Sequence, residues 1–236
     1  MTFCQKEKVW KYQARRIFPC QDWLAQEKKI EIYVGRTKQS ELICSPVRID
    51  EIALGWMIYQ RLLPKRGVIY WKWDEKKSQL IFSSKIYKLK TQIMPTFKEN
   101  ICLSPKLIFK ISKELDRKGK IFQKTGGVHC AGLFSQRGAL LEFAEDISRR
   151  SSLIRLLGRI KKKGIDPAGK IVMVSGRVFK EMVEALVWLG IKVLLSPSAP
   201  SRQAVDYARH EGIALIGFVR GKEFNIYSLT EQVKIT

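Results

Sequence analysis

The sequence predicts an α/β protein, a layered sheet with helices on its faces preceded by a smaller strand-rich part. Three observations predict it. Short apolar runs such as Ile171–Val174 and Ile191–Leu195 alternate with helix-length segments in the second half. Lys29–Val34 in the first half alternates polar and apolar residues, as a half-buried strand does. The chain has 236 residues, of which 45% are hydrophobic and 10% aromatic, enough to bury a core in one large domain or two small ones.

The elements follow in order. After Lys29–Val34, Gly35-Arg36-Thr37 reads as a turn and Glu41–Cys44 as the returning strand. Asp50 is placed to cap a helix from Glu51 to about Leu63, stopped by Pro64 and Gly67. Val68–Trp73 and Gln79–Tyr87 read as strands. Pro95 and its polar neighbours interrupt the pattern between Thr91 and Ser104, which divides the chain into residues 1–103 and 104–236. Ser104-Pro105 opens a helix ending near Lys118-Gly119, with proline at its first position. His129–Phe134 and Ala139–Ala144 form a hairpin about Gln136-Arg137-Gly138, and Glu145–Lys162 is helical. Ile171–Val174, Ile191–Leu195, Ile213–Phe218 and Glu223–Tyr227 are strands; Arg177–Leu189 and Ser201–His210 are the helices among them.

Charge points to partners. Lysine and arginine number 44 against 22 acidic residues, a formal net charge of +22, and an anionic partner would relieve that self-repulsion. Basic residues cluster around Lys6–Arg16, Lys85–Lys90, Lys106–Lys120 and Arg149–Lys163. The last cluster reads first as a solvated helix end, where cations suit the dipole, and second as a binding patch. No stretch approaches the roughly 20 apolar residues that span a bilayer, and the start lacks a secretory core, so a cytoplasmic protein is expected. Five scattered cysteines, none at CxxC spacing, fit reduced thiols.

Common catalytic constellations are missing. The sequence has no P-loop, no GxGxxG, no HExxH and only two histidines, His129 and His210, so no metal site is expected. Three loops remain. Gly126 and Gly127 before His129 allow close backbone approach to a ligand. Ser175-Gly176-Arg177 follows a buried strand and is expected to open a helix, the place where α/β sheets bind anions. Ser196 and Ser198 sit in a proline-stiffened loop after the next strand. Each loop reads equally well as an ordinary turn or cap.

Their order carries more than any one of them. Thr125-Gly-Gly-Val-His129, Glu145-Asp146, Ser175-Gly-Arg177 with Glu181-Met-Val183, Ser196-x-Ser198-Ala-Pro200-Ser201 and Gly217-Phe-Val-Arg-Gly221 together resemble the formate dehydrogenase accessory (FdhD) family. Cys44-Ser-Pro46 and Ile52-Ala-Leu-Gly-Trp56 extend the resemblance over roughly residues 28–230. It implies a cytidine-deaminase-like three-layer α/β fold without zinc chemistry, and a homodimer. It implies an accessory role in formate dehydrogenase maturation. Such proteins receive sulfur from a cysteine desulfurase, hold it as a persulfide on a CxxC loop and deliver it to the molybdenum bis(molybdopterin guanine dinucleotide) cofactor. The guanine end is then expected at Phe218, Val219, Arg220, Gly221, Lys222 and Glu223, with Gly126, Gly127, His129, Ser175, Arg177, Ser196 and Ser198 completing the site. GDP is the expected surrogate ligand, and formate dehydrogenase or a related molybdoenzyme the client.

The departures bear on activity. Where the family has Ser-Ser-Cys-Gly-x-Cys-Gly, this chain has Ser83-Ser-Lys85-Ile-Tyr-Lys88-Leu89, with lysines in place of both cysteines. An ammonium cannot carry a persulfide. Arg150 and Ser151 replace the histidine and asparagine of the segment after Glu145-Asp146, and Ala185 replaces a lysine. Three readings follow: an accessory sulfurtransferase, for which Cys102 could substitute as carrier only if its segment moves; a diverged cofactor-binding chaperone without sulfurtransferase activity; and a nucleic-acid-binding protein, which rests on charge and on Trp71, Trp73 and Tyr87 but lacks any recognised module.

Overall fold

The computed structural model describes residues 2–62, 70–83 and 100–236. Fourteen strands and six helices occupy the described residues. The central feature is a six-stranded sheet of β8 (His129–Phe134), β9 (Leu140–Asp146), β10 (Ile171–Val174), β11 (Val193–Leu195), β12 (Ala214–Arg220) and β13 (Glu223–Ser228). Its order is β13-β12-β11-β10-β8-β9. The three middle strands β10, β11 and β12 run parallel, and β8, β9 and β13 are antiparallel to their neighbours.

Strand side chains alternate between two cores. Leu133, Val172, Val174, Leu194 and Leu215 face one of them, together with α1 (Ile49–Tyr59), α4 (Arg149–Lys162), α5 (Lys180–Trp188) and α6 (Arg202–His210). Phe134, Ile171, Met173, Val193, Leu195 and Ile216 face the other, covered by Ile108, Ile111 and Leu115 of α2 (Pro105–Lys118). The parallel pair β7 (Ile101–Leu103) and β14 (Val233–Ile235) joins that second core. The result is the expected layered α/β architecture, with apolar strands buried on both faces.

The N-terminal part contains β3 (Lys28–Val34), β4 (Thr37–Cys44), β5 (Trp71–Asp74) and β6 (Gln79–Phe82), ordered β4-β3-β6-β5. Its apolar face, with Ile30, Ile32, Leu80 and Phe82, belongs to the same core as α4 and α5, so one apolar interior crosses position 103/104. Trp56 of α1 stacks on Phe82 with ring centroids 5.3 Å apart. The helices α1 and α4 touch backbone to backbone: a Cβ at Gly55 would lie 1.7 Å from the Ile154 carbonyl oxygen, and one at Gly158 1.8 Å from that of Glu51. Beside this crossing the fully buried Arg155 donates to Asp146 and to the carbonyls of Ser45 and Val47, and pairs with Glu51.

Several expectations need correction. The α1 cap is Arg48, in a left-handed conformation, because Asp50 already lies in the first turn and pairs with Lys162. The helix ends at Tyr59, where Gln60 and the left-handed Arg61 close it; Pro64 and Gly67 lie outside the described residues, as does the Ser84–Leu89 stretch. Of the expected strands Val68–Trp73 and Gln79–Tyr87, the described parts are β5 and β6. Glu145 and Asp146 end strand β9 and do not begin a helix. The Glu145 carboxylate accepts from the amides of Ile121 and Phe122, and α4 starts after Ser148, which forms a capping box with Ser151. Helix α5 starts at Lys180 instead of Arg177, since Val178 is drawn into an extended bridge with Pro200.

The hairpin of β1 (Cys4–Gln13) and β2 (Arg16–Ala25) has no counterpart in the sequence reading, nor do β7, β14 and the short α3 (Lys120–Thr125). Ala14 and Arg15 turn the hairpin with positive φ of 50° and 62°. Its base rests on α3, where the Lys124 ammonium lies 3.2 Å from the Trp23 ring centroid. Toward its tip Trp10, Tyr12 and Ile17 stand 71%, 69% and 69% exposed.

Candidate functional site

The carboxyl ends of the parallel strands β10, β11 and β12 open on one rim, together with the start of the antiparallel β8. Open α/β sheets bind ligands at such an end. A chain of hydrogen bonds runs along it. Ser175 Oγ accepts from the Cys130 amide at 2.9 Å and lies 3.2 Å from His129 Nδ1. The buried Ser196 hydroxyl donates to the Gly176 carbonyl at 2.8 Å and accepts from the Ser198 amide at 3.0 Å. The Ser198 and Ser196 carbonyls then accept from the amides of Phe218 and Val219. Arg220 Nε closes the series on the Pro197 carbonyl at 2.6 Å.

The third expected loop therefore bridges the second loop and the Phe218–Arg220 segment. Two glycines allow the approach. A Cβ at Gly176 would press on Arg149 Cβ at 3.0 Å and His129 Nδ1 at 3.1 Å; one at Gly217 would sit 2.9 Å from the Ser198 carbonyl oxygen. At the β12 bulge Phe218 takes a positive φ of 52°, a conformation that costs a non-glycine residue about 1 kcal/mol or more, and its ring is part-exposed. Strained backbone held by neighbouring bonds is a mark of binding segments.

The rim is positive. Arg149 and Arg177 lie 4.6 and 5.8 Å from the Phe179 ring centroid, and Arg220 lies 5.9 Å from that of Phe218. Among the described residues none of these three arginines is paired with a carboxylate. Burial holds His129 below its ordinary pKa, and the Arg149 charge lowers it further, so the imidazole is biased toward its neutral form. Beside the rim a cavity of about 280 Å³ is lined by Tyr59, Arg149, Arg150, Phe179, Glu181 and Met182. Arginine forks aligned along one edge suit phosphate oxygens.

Not every expected residue joins the rim. Gly126 caps α3 and Gly127 packs toward Ala25 of the hairpin. Lys222, in the β12–β13 turn with Gly221, lines a separate groove beside α2. Arg177 contributes its guanidinium but, in an extended segment, no helix amides. Arg149 was missed as a site residue; its position directly after the capping Ser148 is the local signal that turns it toward Gly176. Among the described residues no cluster of histidine, cysteine and carboxylates could hold a metal ion.

The profile of the FdhD/NarQ family matches residues 72–234. The chain belongs to that family. Relatives called sulfur carrier protein FdhD include one from Shouchella clausii, 24% identical over 96% of both chains. Another, from Sulfurisphaera tokodaii, is 39% identical over 57% of this chain and 53% of its own. The crystal structure of a formate dehydrogenase accessory protein from Desulfotalea psychrophila superposes with a TM-score of 0.77 at 19% identity, covering 98% of this chain and all of that one. That likeness bears on the fold, which the two chains share along their full length. No two cysteines of this chain stand at CxxC spacing, and the Lys85–Lys88 stretch, where the resemblance leads one to expect such a pair, is outside the described residues.

Proposed function

We propose that this chain is an accessory protein for the maturation of formate dehydrogenase or a related molybdoenzyme, and that it binds the molybdenum bis(molybdopterin guanine dinucleotide) cofactor at the strand-end rim. The observation that carries this reading is the hydrogen-bonded series from His129 through Ser175, Ser196 and Ser198 to Phe218 and Arg220, edged by arginines that have no carboxylate partner among the described residues. The residues fit the client: guanidinium forks meet pyrophosphate oxygens, and the part-exposed Phe218 ring offers a face to a base. On this reading the partners are the molybdoenzyme, a cysteine desulfurase and a second copy of the chain, in the cytoplasm.

Titration of the full chain with GDP tests the binding half. Saturable binding is expected at moderate salt, weakened about tenfold or more by Arg220→Ala, which removes a charged donor. Failure of GDP to bind at any salt concentration would overturn the reading.

A second reading, sulfur transfer, is favoured by one observation: Cys102 is exposed, whereas Cys44 and Cys130 are buried. Its thiolate would attack the outer sulfur of a desulfurase persulfide and release the desulfurase thiolate. Mass spectrometry after incubation with desulfurase and cysteine decides it: added sulfur on Cys102 supports transfer, and no added sulfur on any cysteine leaves the chaperone reading alone.

A further inference from the structure

Helix α2 carries a row of cations, and three of them have no acidic partner among the described residues. Lys106, Lys110, Lys113 and Arg117 recur at spacings of four, three and four, which places them along one face. Neighbouring like charges at that spacing destabilise a helix. Lys106 also stands in the first turn, where a positive charge opposes the dipole and where α2 has no acidic residue. Among the described residues none of the three lysines forms an ion pair; Glu114, the acid on this face, is held by Arg117 through bonds of 2.7 and 2.8 Å.

The stripe borders a groove of about 900 Å³, closed on the far side by the β8–β9 turn and by Lys222. Its floor is apolar. Phe109 lies half-buried against Phe224 with centroids 5.7 Å apart, and Leu140 lies beside it. Gly138 keeps the turn against the helix: with a positive φ of 74°, it has no room for a Cβ, which would lie 2.6 Å from Leu107 Cδ1. An apolar trough rimmed by unpaired ammonium groups complements a ligand that is acidic on one side and apolar on the other.

We propose that this groove docks an acidic amphipathic segment of a partner protein, its carboxylates on the α2 lysines and its apolar side chains on Phe109 and Leu140. From Lys106 to Arg117 the stripe covers about 16 Å, or three turns of a bound helix. Nucleic acid fits less well. Single strands are held by stacking on exposed aromatic faces, and the aromatic ring here is already packed on Phe224. A phosphate backbone would also leave the apolar floor uncovered. The proposal is independent of the cofactor reading, because the groove shares only Lys222 with the residues expected to hold the cofactor.

The test uses the full chain and a fluorescent helical peptide with glutamates along one face and leucines along the other. Single-site saturable binding is expected. Substituting Lys106→Gln, Lys110→Gln and Lys113→Gln together should weaken it about tenfold, whereas Lys72→Gln, Lys76→Gln and Lys77→Gln together should change it less than about threefold. Replacing the peptide's leucines by serine should weaken binding to the unaltered chain by about tenfold or more. The α2 variant should keep the urea unfolding midpoint of the unaltered chain, which shows that it is folded. Equal losses in the two triple variants, no effect of the leucines, tighter binding of a single-stranded oligonucleotide at the same lysines, or no peptide binding would each overturn the proposal.

Discussion

Burial pushes the Cys130 thiol up to about 12, and the neighbouring Glu145 carboxylate adds to the effect. The Cys44 thiol is pushed up to about 12 by burial, with Asp146 adding to it. Neither supplies a thiolate near neutral pH, and a thiol that does not ionise neither attacks a persulfide nor reacts with alkylators. Iodoacetamide at mildly alkaline pH is therefore expected to modify Cys102 first and Cys44 and Cys130 only after denaturant is added, as read by peptide mass spectrometry. His129 behaves in the opposite sense to a salt-bridged histidine. Its pKa in the fold is lowered, so between the ordinary histidine value of about 6.5 and the lower folded value the unfolded chain holds the extra proton. Stability should fall as pH drops through that window and level off below it. Urea titrations across the window should show a shallower slope for His129→Gln than for the unaltered chain.

Elements built from local signals were legible in advance. Ser104 and Ser201 accept from Leu107 and Ala204 amides as cap residues should, and Ile171–Val174 and His129–Phe134 are strands with the expected bounds. Elements held by distant partners were not. The β1–β2 hairpin lacks an Asn-Gly turn and carries Pro19 in a strand, and β7 finds its partner in β14 near the other end of the chain. The strand state of Glu145 and Asp146 depends on the Ile121 and Phe122 amides and on Arg155, which periodicity does not contain. The contact of α1 with α4 belongs here as well. Because Gly158 meets the Glu51 carbonyl directly, Gly158→Ala forces the two helices apart. A loss of roughly 1–3 kcal/mol or more is expected, measurable as a lower urea midpoint. A surface substitution such as Lys161→Ala should stay within about 0.5 kcal/mol.

Across the whole molecule, the sheet's carboxyl-end rim was readable because its segments recur in a fixed order, whereas its reach was not. Gly127 and Lys222, both expected at the rim, lie elsewhere in the fold, the first against the hairpin and the second along the α2 groove. Backbone turns decide such directions, and the sequence pattern does not specify them. The joining of the two halves through Arg155 and Glu51, 104 positions apart, has a consequence for how the protein is made. A ribosome adding about 5–20 residues per second needs roughly 5–20 s to reach α4 after α1 has been synthesised. Throughout that interval the face of α1 that meets α4 stays uncovered, and the buried Glu51 lacks Arg155 and Arg159. The growing N-terminal third is thus a client for whatever shields nascent chains until α4 emerges.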